Sequence, residues 1–252
     1  MKTTGLITRR RAIVAGLASV GGILLARYPK DLPPTYGSLL RMGDNLTYAA
    51  HRTLLPGQSL VKEYGLHDLT SFPATGTTDP AASLKGELGD EYRRLLNGGF
   101  AHWRLSVEGR VATPRTFSLA DLKQLNSRTQ ITRHTCEEGW TAIGQWTGVP
   151  LSSVLDAAGT LPDARFVVFH SYDDWVDCID LFDALHPQTI LAYGMNGRDL
   201  PIQHGAPVRL RVERQMGYKS MKYVRRIVVA DEFDDGGMKG NIQNGWAWYT
   251  GI

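Results

Sequence analysis

Arg133-His-Thr-Cys-Glu-Glu-Gly-Trp-Thr-Ala-Ile-Gly-Gln-Trp-Thr-Gly-Val-Pro-Leu151 is the stretch around which the rest of this chain is read. The residues leading into it, Arg128 to His134, alternate and are rich in Thr and Ile, so they predict a strand that delivers Cys136 at its end. Trp146 to Leu151 reads as a turn into an apolar helix over Leu151–Ala158, with Pro150 at its start and Gly159 just past its end. A thiolate is the nucleophilic and metal-binding form of cysteine. Arg133 and His134 favour that form, whereas Glu137 and Glu138 oppose it. A small buried hydrophobe is the plain alternative for Cys136, and local sequence leaves both readings open.

Composition excludes several classes. With 252 residues, 42% hydrophobic and 21% charged, the chain is globular and long enough for a sizeable core. The net charge of +3 invites a nucleic-acid reading until the charge is located. Residues 1 to 26 hold Lys2, Arg9, Arg10 and Arg11 and no acid, so the remainder is slightly acidic and the basic balance belongs to the leader. No dinucleotide, phosphate-loop or catalytic-triad signature is present.

That leader, MKTTGLITRRRAIVAGLASVGGILLA, sets an arginine run before an apolar stretch and resembles a twin-arginine export signal. Residues 1–27 are therefore expected to be a signal or an N-terminal anchor, giving an exported, periplasmic protein. The Pro- and Gly-bearing residues 28–58 read as a linker and extended wrapping segment, and 59–252 as the functional domain. Further strands are expected at Trp103–Val107, Arg165–His170 and Trp175–Ile179, and Ser118 caps a short helix through Leu119, Leu122 and Leu125.

A second informative block runs from Leu191 to Lys222. Val208, Leu210 and Val212 alternate with Arg209, Arg211 and Glu213, and Gly217-Tyr-Lys-Ser-Met-Lys222 then joins glycine, hydroxyl and lysines. Such a segment can hold a phosphate, because glycine lets the backbone approach, N–H and hydroxyl groups donate, and cations supply charge. A solvated, charged strand face is the plain alternative.

Taken together, Arg133-His-Thr-Cys-Glu-Glu-Gly-Trp140 with Trp146-Thr-Gly-Val-Pro-Leu151, His204-Gly-Ala-Pro-Val-Arg209, and Gly217-Tyr-Lys-Ser-Met-Lys222 resemble the sulfite-oxidase-like molybdopterin oxidoreductases. The resemblance extends to Tyr193-Gly-Met-Asn-Gly197 and to the closing Trp248-Tyr-Thr-Gly-Ile252. It implies an α+β fold with mixed, β-rich sheets, short helices and a molybdopterin cofactor. Cys136 would ligate molybdenum, and Arg133 would face a substrate oxygen. Thr75, Ser171, His204, Arg209, Lys219, Ser220, Met221 and Lys222 would contact the pterin. His170 is a neighbouring alternative to Ser171.

The implied function is oxygen-atom transfer coupled to two-electron redox chemistry, directed at reduction of a sulfoxide, with sulfite oxidation as the alternative. Electrons would be exchanged with a separate redox partner such as a membrane cytochrome. Two readings of other classes remain at this point. One is a zinc or thiol protein using His134, Cys136, His170 and Cys178, although paired zinc-site spacings are absent. The other is a non-catalytic exported binding domain. A Cys136–Cys178 disulfide is chemically available in an oxidising compartment, but would consume the proposed ligand.

Overall fold

The structure, a computed structural model, describes residues 39–55, 59–234 and 236–252. The leader and the export reading attached to it lie outside the described residues. The chain divides into two units between Gly57 and Gln58. In the first, helix α1 (Leu39–Leu54) replaces the extended segment expected there. The prolines at the head of that segment drew the reading, but Thr35 to Leu55 holds none, so nothing stops a helix. Thr47 and Thr53 bond back to the carbonyls of Gly43 and Ala49, a form of side-chain bonding that helices accommodate.

The second unit opens with a turn-rich segment and the helices α2 (Pro80–Ser83) and α3 (Glu87–Asn97). Strands β1 (Arg104–Gly109) and β2 (Arg115–Ser118) lead into α4 (Leu119–Gln124). Ser118 caps α4 through a reciprocal box with Asp121, as its position before the leucine repeat predicts. Then come β3 (Arg128–Thr135), β4 (Thr141–Pro150) and α5 (Leu151–Ala158), which ends at Gly159 in left-handed geometry. The remaining elements are β5 (Phe166–Ser171), β6 (Val176–Asp180), α6 (Leu181–Ala184), β7 (Ile190–Met195), β8 (Arg198–Asp199), β9 (Arg209–Arg211) and β10 (Val224–Ala230).

These strands make two five-stranded sheets. One runs β2-β1-β10-β5-β6; the other runs β3-β4-β7-β8, with β9 on the free side of β7. Only β1 and β10 pair in parallel, so residues far apart in sequence close the first sheet. Trp103, Leu105, Val107, Leu122, Leu155, Phe169, Leu191, Leu210 and Ile227 are fully buried members of one core. A second cluster, with Trp146, Ile190, Ala192 and Met195, lies on β4 and β7 and receives Phe72.

The expected turn at Trp146–Pro150 is instead the second half of a ten-residue strand. Its glycines signal close packing: a Cβ on Gly148 would lie 2.3 Å from the Leu191 carbonyl oxygen. The register shifts between Thr147 and Gly148, where Tyr193 of β7 is the extra residue, and Gly148 and Val149 are both buried. The Asn196-Gly197 tip between β7 and β8 has both residues at positive φ, the twist a two-residue hairpin requires.

Candidate functional site

A cleft of ≈ 380 Å³ opens in the second unit, within the size range of small-molecule sites. Five segments wall it: the Phe72–Thr77 loop, the end of β3 with the turn after it, Asp173 and Trp175 after β5, the 203–222 stretch, and the C-terminal segment at Asn241 and Trp246.

Cys136 stands at the end of β3. Its N–H bonds to the Trp140 carbonyl (2.9 Å) and its carbonyl accepts from Gly139 N–H (3.1 Å), so a tight turn fixes the residue at the cleft wall. The thiol is 4% exposed and points toward Glu137 Oε2 at 3.4 Å. Burial, followed by the adjacent Glu137 charge, pushes its pKa up to about 11, against a bond from the Glu138 backbone. Burial first, and then the acids, favour the protonated thiol in the protein alone.

Opposite lies a cationic wall. Arg209, 4% exposed, donates Nη1 to the His204 carbonyl (3.1 Å) and Nη2 to the Ser220 carbonyl (2.8 Å). Its Nε–H is buried with no acceptor. Burial and the neighbouring Arg211 oppose its charge, but a guanidinium keeps its proton. Lys222 donates to the carbonyls of Thr75 (2.8 Å), Thr77 and Gln203 (3.2 Å), and burial lowers its pKa to about 8. The Ser220 hydroxyl accepts from Val212 N–H (3.2 Å). His204 packs edge-on to Phe72 at 5.6 Å, and burial, then the Arg209 charge, lowers its pKa to about 4.

Behind this wall the Trp146 ring meets two guanidiniums, its centroid 5.0 Å from Arg209 Cζ and 4.5 Å from Arg211 Cζ. The indole face attracts cations, which offsets part of the cost of burying two side by side. Arg211 is also clamped by both Glu213 oxygens, at 3.0 and 2.7 Å, a buried fork-to-fork pair. The arginines of β9 are thus buried rather than a solvated face.

Cys136, Thr75, His204, Arg209, Ser220, Met221 and Lys222 all line the cleft. Three expected residues do not. Arg133 is exposed, because strand side chains alternate and an odd separation from Cys136 puts it on the opposite face. Lys219 is 1% exposed with its ammonium on Asp177 (2.7 Å) and the Cys178 carbonyl (2.9 Å), since the 3₁₀ turn Gly217–Lys219 rotates it away. Ser171 is buried behind the wall, its hydroxyl giving to Asp173 and accepting from Trp175 N–H; those two partners reach the cleft instead. His170 is not on the wall either.

Sequence reasoning gave His134 only as a neighbour of the thiol and as a zinc candidate, and it assigned no site role to Phe72, Trp140, Trp175 and Trp246, all of which line the cleft. The β3 alternation carried the signal for His134, which shares Cys136's parity. Both cysteines are free thiols. Among the described residues no group of three or more His, Cys, Asp or Glu side chains is placed to hold a metal ion, which removes the four-residue zinc arrangement. A soft thiol facing cations, with a buried guanidinium donor lacking an acceptor, fits an anionic, oxygen-rich group carrying a thiophilic metal.

The family model described as "Oxidoreductase molybdopterin binding domain" matches residues 96–238. The chain is 38% identical over 163 residues to the putative protein-methionine-sulfoxide reductase subunit YedZ1 of Azospira oryzae, covering 65% of this chain and 60% of that protein. It is 34% identical over 146 residues to the protein-methionine-sulfoxide reductase catalytic subunit MsrP of Ralstonia nicotianae, covering 52% and 44%. It therefore spans about half the length of these relatives. The sulfane dehydrogenase SoxCD of Paracoccus pantotrophus shares the fold, with a TM-score of 0.50 at 22% identity over 68% of this chain and 51% of that one.

Proposed function

The chain belongs to the oxidoreductase molybdopterin-binding domain family, and from that membership we propose that it is an exported enzyme reducing sulfoxides, methionine sulfoxide in proteins being the substrate class. The observation that carries the reading is the juxtaposition in one cleft of the buried Cys136 thiol and the Arg209/Lys222 wall. Both relatives are named as subunits of protein-methionine-sulfoxide reductases, which supports the direction of the reaction.

When bound, the molybdenum–pterin group supplies two-electron redox chemistry and the oxygen-transfer centre. The chain's own part is to hold and enclose it. Cys136 offers one soft ligand and gives up its thiol proton to do so. Arg209 offers its unused Nε–H to an anionic oxygen; Ser220 and His204 lie beside it, and Lys222 adds charge while fixing the loop that carries Thr75. Met221 and Phe72 give apolar surface. Electrons come from a separate redox partner of the membrane-cytochrome type, and the twin-arginine leader carries the folded, loaded protein across the membrane.

The test is elemental and pterin analysis of protein matured with its leader, followed by turnover on methionine sulfoxide and on sulfite. About one molybdenum and one pterin per chain are expected, with sulfoxide reduction. Cys136→Ala is expected to fold, losing about 1 kcal/mol from a small cavity, and to lose turnover entirely. Full molybdenum-dependent turnover in Cys136→Ala, or sulfite oxidation without sulfoxide reduction, overturns the reading.

A further inference from the structure

The buried polar chain beneath the cleft ends at an atom the function above does not use. Gln130 Nε2 donates to Glu213 Oε1 (2.9 Å) and to the Gln188 carbonyl (3.0 Å). Glu213 takes Arg211 on both oxygens, and Arg211 Nη1 lies 2.7 Å from His134 Nδ1. Arginine has no acceptor, so Nδ1 must present its lone pair and the ring proton must sit on Nε2. The hydrogen bond itself sets the tautomer.

The ring is also fixed in place. Phe72 and Trp140 flank it with centroids at 5.1 and 5.3 Å. A Cβ on Gly217 would lie 2.3 Å from Nε2, so only glycine leaves room for the imidazole at the start of the Gly217–Lys222 wall. Nε2 makes no hydrogen bond among the described residues, and His134 lines the cleft. A buried ion pair is a weak device for stability alone. Here its outlet is a single donor beside Gly217, a residue of the cleft wall.

We propose that His134 is a cofactor-contacting residue whose Nε2–H donates to an acceptor on the bound pterin group, with Arg211, Glu213 and Gln130 as positioning residues that fix its tautomer. This rests on the molybdopterin reading of the cleft. It assigns a contact to a side chain that an odd–even count along β3 puts beside Cys136, where Arg133 cannot reach.

Two measurements test it on the full chain. In protein labelled with ¹⁵N-histidine, the His134 signal, assigned by its loss in His134→Gln, is expected to show the Nε2–H tautomer; an Nδ1–H or imidazolium pattern overturns the proposal. In purified holoprotein, His134→Leu is expected to lose molybdenum and pterin about tenfold faster on dialysis, the scale of one lost hydrogen bond, with thermal melting confirming the fold. His134→Gln, which keeps a donor nitrogen, is expected to restore most of the retention. A loaded wild type with unchanged retention in folded His134→Leu overturns this inference alone. A wild type that binds no molybdenum overturns the functional reading, and this inference with it.

Discussion

Lys222 uses all three ammonium donors on main-chain carbonyls of Thr75, Thr77 and Gln203. Its position is therefore that of a fastener between the Phe72–Thr77 loop and the 203–222 stretch, as well as a charge. Lys222→Met should lower stability by about 2 kcal/mol, read as an earlier urea midpoint, with faster amide exchange in the Thr75–Thr77 loop. Lys219, three residues earlier, looks interchangeable with it in sequence. Its ion pair with Asp177 is set by a contact forty-two positions away, which no local pattern reports. Arg133 is the opposite case. The same alternation that places Cys136 inward places Arg133 outward, so the correction was available from β3 alone.

At the level of elements, strands with clean alternation or continuous apolar runs were legible: β3, β5 and β6 follow from their side-chain pattern, and α4 and α5 from their caps. β4 was hidden because Gly144, Gly148 and Pro150 carry turn chemistry in isolation. Its glycines answer instead to the neighbouring strand and to Trp146, which only the assembled sheet reveals. Gly148→Ala would drive a methyl into the Leu191 carbonyl and Ala192 Cα, both backbone, so neither can swing away. We expect a loss of about 2–3 kcal/mol in chemical denaturation and a displaced Trp146, since overpacked sites shift their neighbours. In the cleft, the wall was legible as a cluster of residue types. Its depth was not, because the burial of Arg209 and Arg211 depends on Trp146 and Glu213 being brought beneath them.

Across the whole molecule, buried titratable groups give stability a dome-shaped pH dependence. The pKa of His204 is lowered to about 4, and those of His134 and His170 are also lowered, in each case chiefly by burial. The unfolded chain thus binds protons that the folded one refuses. This stability is present above about pH 6.5 and is lost as pH falls toward 4, with Asp173, raised by burial, acting in the opposite sense. On the alkaline side, burial raises Cys136, Tyr92, Tyr172 and Tyr223, so their contribution is lost as pH climbs above 9; Lys222, lowered to about 8, partly compensates. Melting temperatures across pH 4–7 for wild type and His204→Asn should converge toward the acid end, the variant losing about 1–2 kcal/mol less. Parallel curves would contradict it. The parallel pairing of Ser106 with Arg226 and of Gly109 with Val229 carries a temporal consequence. The first sheet cannot close until β10 has been made, because β1 has to wait for it across more than a hundred residues, and non-local pairings of this kind fold slowly. The 203–222 stretch is synthesised just ahead of that closing strand, so the cationic wall of the cleft becomes available long after the Phe72–Thr77 loop and β3 that it has to meet.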